Sequence, residues 1–115
     1  MDGLVLYQKL VDLADSLFPV VDSFPRSERF ALCTQIKNSV FTLLRQTIRL
    51  QKSREKLRNL FELDLELEML RFLVRHAHRR RYLSVKRYEL TAQRLSEIGK
   101  IVGGLFRAFG KGDGS

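Results

Sequence analysis

The stretch Leu60–Ala77 reads LFELDLELEMLRFLVRHA, and it decides the fold class of this chain. Apolar residues recur in it alternately three and four positions apart, which is the spacing of one buried face on an α-helix. Elsewhere the chain has almost no strand signal, and Gly and Pro are scarce before the last residues. The residues of this predicted buried face are Leu60, Leu63, Leu67, Leu70, Val74 and Ala77.

Three more helices are predicted from the same spacing. Pro19 either kinks the first helix or ends it just before that residue. The second helix opens at Phe24-Pro25, where proline suits the first turn, and Ser84 is a good N-cap for the fourth. The predicted buried stripes are Tyr7, Leu10, Ala14, Leu17 and Val21 in the first helix, Cys33, Ile36, Val40, Leu43 and Thr47 in the second, and Val85, Tyr88, Ala92, Leu95, Gly99, Val102, Phe106 and Phe109 in the fourth.

Short connections determine how these helices pack. The links around residues 52–56 and 81–83 are brief, so consecutive helices must be neighbours. A sustained three-four pattern on long helices favours near-antiparallel packing at about 20°. We therefore predict an all-α, up-and-down antiparallel four-helix bundle. It forms one domain over residues 1–110, followed by a flexible C-terminal tail over residues 111–115.

Some apolar residues do not fit one stripe per helix. Ile98, Ile101 and Leu105 widen the apolar arc of the fourth helix. A second line on the third helix suggests either a subunit interface or a wide core helix, and we favour the interface because large exposed apolar patches are rare on monomers. That line consists of Phe61, Leu65 and Phe72.

Glycines inside the fourth helix are the next unusual feature. Gly99, Gly103 and Gly104 each cost about 0.5–1 kcal/mol relative to alanine within a helix. Close approach of another helix would offset that cost, whereas fraying at the double glycine is the alternative. Leu105 and Phe106 continue the apolar pattern, so we favour a continuous helix that packs closely at these glycines.

The overall composition limits the class of protein. The 115 residues carry a formal net charge of +8, which predicts attraction to a polyanion or an acidic partner. The single cysteine excludes an intramolecular disulfide and favours a reducing, cytoplasmic setting. The N-terminus lacks the features of a signal peptide, and no apolar run approaches the ~20 residues that span a bilayer. We expect a soluble protein with no membrane partner.

Catalytic chemistry has little support in the sequence. His76 and His78 lie two positions apart, so on a helix they point to different faces and do not readily chelate one metal. Cys33 has no CxxC partner and lies on a core stripe, which favours a buried structural thiol. Four carboxylates at a period of two are spread around the helix: Glu62, Asp64, Glu66 and Glu68. We expect no enzyme, no metal and no cofactor.

Positive charge is concentrated around two turns. The C-terminal basic cluster surrounds the third turn and contains Arg71, Arg75, Arg79, Arg80, Arg81, Lys86 and Arg87. The central basic cluster surrounds the second turn and contains Arg45, Arg49, Lys52, Arg54, Lys56 and Arg58. In an up-and-down bundle these two turns lie at opposite ends.

The spacing within the C-terminal basic cluster suits nucleic acid. Arg71, Arg75 and Arg79 are four residues apart, so they line one helical face, and arginine can bind each phosphate through two parallel hydrogen bonds. Tyr82 and Tyr88 lie nearby and could stack on bases. The alternatives are a merely solvated basic helix and surface ion pairs with the preceding glutamates. The predicted nucleic-acid-binding residues are Arg71, Arg75, Arg79, Arg80, Arg81, Lys86 and Arg87, with Arg45, Arg49 and Lys52 from the central basic cluster.

Three blocks resemble the accessory variability determinant (Avd) family of diversity-generating retroelements: FPRSERF (Phe24–Phe30), LELEMLRFLVRHAH (Leu65–His78) and YELTAQRLSEIGKIVGGL (Tyr88–Leu105). They follow one another in order over nearly the whole chain. The related bundle proteins encoded in rRNA intervening sequences typically carry Asn-Ile-Ala-Glu-Gly late in the second helix, where this chain has RQTIRLQ. Two departures from Avd are the missing glycine near Cys33 and Leu105 in place of a tryptophan.

The resemblance implies a specific role. Members of the family form four-helix bundles that assemble as a homopentameric barrel with a positively charged surface. They bind the reverse transcriptase of the element and RNA, support mutagenic cDNA synthesis, and are not catalysts. By position, Arg71, Arg75 and Arg79 would belong to the charged surface, and Gly99, Gly103 and Gly104 to the packing signature. DNA or an RNA/DNA hybrid is a further possible ligand.

A rival interpretation belongs to a different class. The chain could be a protein-interaction module, similar to the intervening-sequence proteins, whose arginines bind acidic protein partners. Titration with labelled RNA separates the two interpretations.

Overall fold

The computed structural model describes the backbone of residues 2–114 and the side chains of residues 3–110. Within this part the chain forms four α-helices and no strand, which confirms the all-α prediction. The helices are α1 (Asp2–Val21), α2 (Leu32–Lys52), α3 (Lys56–Arg79) and α4 (Val85–Gly114), with a 3-10 turn at Arg26–Glu28 between α1 and α2. The sequence predicts a flexible tail over residues 111–115. The side chains of these residues lie outside the described part of the chain, so the tail stays a prediction.

The four helices form a closed ring. Each packs against its sequence neighbours, and α1 also packs against α4. The bundle measures 51 × 24 × 20 Å. The α1–α2 connection and the α3–α4 turn share one end, which we call the turn end. The α2–α3 turn lies at the opposite end, where the start of α1 meets the end of α2.

The core lies along the inner faces of the helices. Every residue of the stripes predicted for the second and third helices is buried. The spacing of the apolar residues was therefore sufficient to predict the buried residues of these stripes. On α1 the prediction is partly wrong: Leu6 and Leu13 are fully buried, whereas Tyr7 is exposed and Ala14 half-buried. Moreover, α1 continues through Pro19 instead of ending before it.

The register of α4 also differs from the prediction. Val85 is 64% exposed, while Ile98 and Leu105, which were assigned to the margin of the arc, are core residues. Because α4 is apolar over a wide arc, several registers would bury a similar area. Packing against α1 and α3 selects the register whose buried residues are Thr91, Leu95, Ile98, Val102 and Leu105.

The second helix begins later than predicted. Phe24-Pro25 leads into the 3-10 turn, and α2 starts at Leu32. Phe24 is buried against Tyr82, with ring centroids 5.4 Å apart. Burying Phe24 therefore folds this connection back onto the turn end of the bundle.

Candidate nucleic-acid interface

The last turns of α3, the α3–α4 turn and the first turn of α4 carry the C-terminal basic cluster. All its members are exposed except Arg71, which is half-buried. Arg71 is also the only one with a carboxylate within 4 Å among the described residues, since it forms an ion pair with Glu68. Ion pairs between the preceding glutamates and the arginine row of α3 were one of the alternatives, and such a pair forms at Arg71. This alternative does not hold for Arg75, because Glu66 instead accepts a 2.7 Å hydrogen bond from Ser39 Oγ.

The row of three arginines on α3 is therefore not uniform. Arg75 and Arg79 point into solvent, whereas the guanidinium of Arg71 turns toward α4 and lies beside Gly99. It fills the space that a Cβ at residue 99 would need. Arg71 consequently forms part of the α3–α4 contact and contributes less free charge than its neighbours.

The end of α3 places one arginine in an unusual backbone conformation. Arg81 has φ 66°, and it is the only non-glycine residue with positive φ in the described part of the chain. The amides of Arg81 and Tyr82 donate to the carbonyls of His78 and Ala77, both at 2.9 Å, which is the Schellman pattern of helix ends. Glycine is the usual residue at this position, so arginine carries a conformational cost here.

Aromatic side chains hold the turn end together. Tyr82 Oη donates a 2.8 Å hydrogen bond to Glu28 Oε2 across 54 residues of sequence. The Arg80 guanidinium lies 5.9 Å from the centroid of the Tyr82 ring. Tyr88 stacks on His78 with ring centroids 4.2 Å apart and planes 4° apart. Tyr82 and Tyr88, the two tyrosines predicted to lie near the cluster, therefore both contact other side chains of the protein.

Two cations at this end were missed by the sequence argument. Arg26 and Arg29 belong to the connection that Phe24 and Glu28 hold against the α3–α4 turn, and both are exposed. They line a cleft of about 470 Å³ together with Lys37, whose Nζ forms a 2.5 Å ion pair with Asp22. They lie about 50 residues before the cluster in sequence, so only the tertiary fold adds them to the positive surface.

The central basic cluster lies at the opposite end. The 24 residues of α3 separate the two turns by about 36 Å. Lys56 Nζ donates to the carbonyl of Leu50 at 2.5 Å and so caps the end of α2, and Arg58 forms a 3.6 Å ion pair with Glu55. Four members, Arg45, Arg49, Lys52 and Arg54, are exposed without an ion pair among the described residues.

An apolar stripe covers the outer face of α3. Phe61, Leu65 and Phe72, assigned to a second line by the sequence, are 62%, 72% and 50% exposed. Met69 joins them at 52%. We call these four residues the α3 stripe, and their spacing of three or four places them on one face of the helix.

The helical glycines are in more open surroundings than expected. A Cβ at Gly99 would meet only the flexible end of Arg71, and at Gly103 or Gly104 it would meet only Arg107. No backbone of another helix comes within 4 Å of these positions. Close helix approach within the bundle is thus not the reason for these glycines, and their role in an oligomer stays a prediction.

The groups considered for chemistry are in structural positions. Cys33 is buried, its Sγ donates to the carbonyl of Val21 at 3.4 Å, and burial raises the pKa of the thiol. No group of three potential metal ligands occurs among residues 3–110. No helix within the described residues combines the length and apolar content that crossing a bilayer needs.

Fold and charge together define a class: a small, strongly basic four-helix bundle protein with exposed cations at both ends and the larger group at the turn end. Comparison with known families then identifies the group. Residues 4–109 match the model of the bAvd-like family, and the chain belongs to that family. The family is one of accessory, non-catalytic proteins, so membership suggests an accessory role in diversity-generating retroelements. No curated protein matches the chain.

Proposed function

We propose that this protein is a non-enzymatic accessory subunit that binds RNA at the turn end and holds it against the reverse transcriptase of a retroelement. It would thereby support mutagenic cDNA synthesis, with the polymerase supplying all the chemistry. The observation that carries the proposal is the group of cluster cations at the turn end that have no ion pair among the described residues: Arg75, Arg79, Arg80, Arg81, Lys86 and Arg87.

Phosphate neutralisation supplies the affinity in this proposal. Exposed guanidinium groups at Arg75 and Arg79 lie along one face of α3, at the spacing of one helical turn. Each can bind a phosphate with two parallel hydrogen bonds. Arg81 adds a further exposed cation to this surface, although glycine would be less strained in its backbone conformation. The phosphates of DNA or of an RNA/DNA hybrid would bind the same guanidinium groups. We propose that the protein acts in the cytoplasm.

Self-association is the second part of the proposal. The α3 stripe leaves four large apolar side chains half-exposed or more on one helix face. Contiguous apolar surface of this kind marks contact sites on soluble proteins. We place a subunit interface there and, following the family, a homopentamer whose assembly brings several turn ends together.

Charge reversal tests the RNA site. The variant carries Glu at Arg75, Arg79 and Arg87, and the matched control carries Glu at Arg45, Arg49 and Lys52, so both lose the same charge. Binding of labelled single-stranded RNA is titrated between 50 and 200 mM salt, with circular dichroism as a check on helicity. We expect the first variant to bind at least about tenfold more weakly than the control. The wild-type log–log salt slope should be close to −0.7 for each phosphate bound.

Four outcomes would contradict this part of the proposal. Unchanged affinity in the first variant would remove the site from the turn end, and loss in the control alone would move it to the central basic cluster. Salt-insensitive binding would exclude phosphate neutralisation as the source of affinity. Binding of an acidic polypeptide in preference to RNA would favour the protein-interaction alternative.

Sedimentation tests the assembly. Leu65→Glu places a charge in the middle of the α3 stripe, and we expect it to reduce the mass of the assembly to that of a monomer. Phe30→Glu is the matched control, because Phe30 is 89% exposed but lies outside the stripe. A wild-type monomer at micromolar concentration, or equal masses for both variants, would show that the stripe is not the interface.

A further inference from the structure

A cleft between α3 and α4 lies one helical turn below the turn end. It measures about 290 Å³, at the lower limit of ligand pockets, which occupy about 300–1,000 Å³. Ala92 and Leu95 line it with apolar surface, and Arg75, Tyr88 and Ser96 bring polar groups to it. An apolar lining with a few polar groups at its rim is typical of small-ligand sites, and the volume suits one small planar ligand.

The aromatic wall of the cleft is held in place. The Tyr88 ring stacks on His78, and His78 Nδ1 lies 3.2 Å from the carbonyl oxygen of Leu83. His78 covers one face of the Tyr88 ring, so a ligand ring bound in the cleft would stack on the opposite face. A ligand ring placed there would extend an existing stack, with little rotamer freedom left to lose.

The two arginines of the cleft have different roles. Arg71 forms an ion pair with Glu68 and lies beside Gly99, so it adds a partly neutralised positive charge to one wall of the cleft. Arg75 is exposed, with no carboxylate within 4 Å among the described residues, so its guanidinium is free to bind an anion. A base-stacking surface, a free guanidinium and a hydroxyl from Ser96 are thus brought together within one small cleft.

We propose that this cleft binds one unpaired nucleotide of the RNA. The base stacks on the free face of Tyr88, the phosphate binds Arg75, and Ser96 hydrogen-bonds the ribose or the edge of the base. The inference rests on the proposed RNA-binding function and adds a preference to it. Duplex RNA keeps its bases stacked and cannot place one in the cleft, so the protein distinguishes single-stranded from double-stranded RNA.

Substitution of Tyr88 tests the cleft separately from the charge of the surface. Tyr88→Leu keeps apolar bulk but removes the ring, Tyr88→Phe keeps the ring, and Tyr7→Leu is a matched control on the exposed side of α1. Single-stranded and duplex RNA of equal length are titrated against each. We expect Tyr88→Leu to bind single strands about tenfold more weakly, the effect of losing one base–aromatic stack. Its duplex affinity and salt slope should be unchanged, and Tyr88→Phe should restore the single-strand affinity.

A second pair of measurements covers the case in which Tyr88→Leu does not fold. Ser96→Leu fills the cleft from its exposed rim and should produce the same selective loss. RNA containing 2-aminopurine should lose fluorescence on binding wild-type protein, because stacking quenches that base. Equal single-strand affinity of Ser96→Leu or folded Tyr88→Leu with wild type would overturn the cleft while leaving RNA binding intact. Absence of salt-dependent RNA binding in the wild type would overturn both proposals.

Discussion

Tyr82 Oη and Glu28 Oε2 are 2.8 Å apart, and this hydrogen bond joins the two connections of the bundle that share an end. It fixes the 3-10 turn, with Arg26 and Arg29, beside the basic α3–α4 turn. A pair separated by 54 residues of sequence thus determines how far the positive surface extends.

Removal of the Tyr82 hydroxyl measures how much its hydrogen bond with Glu28 contributes to the free energy of unfolding. Tyr82→Phe keeps the ring against Phe24 and loses one hydrogen bond to a carboxylate, which contributes about 1.5–3 kcal/mol when an ionised group takes part. Because the pair is only part-buried, we expect a loss near 1 kcal/mol in urea unfolding. Tyr7→Phe is the control, since Tyr7 has no hydrogen-bond partner among the described residues. Equal stability of the two variants would show that the bond does not hold the connection.

The positive φ of Arg81 predicts a stabilising substitution. Left-handed backbone costs a residue with a Cβ about 1–2 kcal/mol, and glycine avoids that cost. We expect Arg81→Gly to raise the free energy of unfolding by about 1 kcal/mol, measured by thermal and urea denaturation. Arg80→Gly is the matched control, because Arg80 is in the right-handed region at φ −79°. It should be neutral or destabilising, and stabilisation in both variants would contradict the strain at Arg81. RNA affinity should decrease slightly in each, since each loses one cation.

The open surroundings of Gly99 predict that alanine is tolerated there. Only the flexible end of Arg71 is in the way, and alanine gains about 0.5–1 kcal/mol in helix propensity. We expect Gly99→Ala to unfold at equal or higher urea concentration than wild type. Ile98→Ala, one residue away in the core, should lose about 2–5 kcal/mol. If Gly99→Ala keeps its stability but no longer assembles, the glycine serves the oligomer; a loss above 1 kcal/mol in the isolated subunit would show a contact within the bundle.

Burial of Cys33 predicts a pH dependence of stability. Desolvation raises the pKa of the thiol above its ordinary value of 9.0, and Lys37 opposes the shift. Because the folded pKa is the higher one, the contribution to stability is complete below about pH 9 and is lost as pH rises through the folded pKa. We expect the difference in unfolding free energy between wild type and Cys33→Ala to narrow from pH 8 to pH 10.5. A constant difference over that range would contradict a raised pKa.

The sequence predicted the buried residues of α3 well and those of the neighbouring helix α4 poorly. On α3 the strict spacing predicted the buried face, and the six residues of that stripe are buried as predicted: Leu60, Leu63, Leu67, Leu70, Val74 and Ala77. On α4 the apolar arc is wide enough for several registers, so Ile98 and Leu105 could be assigned to the core only once α1 and α3 were in place. Tyr7 on α1 was misassigned for a similar reason, since Leu6 and Leu13 offered an equally regular stripe.

The sequence by itself determined the class of fold, the location of the positive charge and the family, because periodicity, charge and local motifs are properties of the chain in order. Only the tertiary structure decided which cations are free. Arg71 and Arg75 look alike in sequence, yet Arg71 turns into the α3–α4 contact while Arg75 faces solvent. That difference depends on the backbone brought opposite each side chain, a relationship between residues far apart that local spacing does not encode.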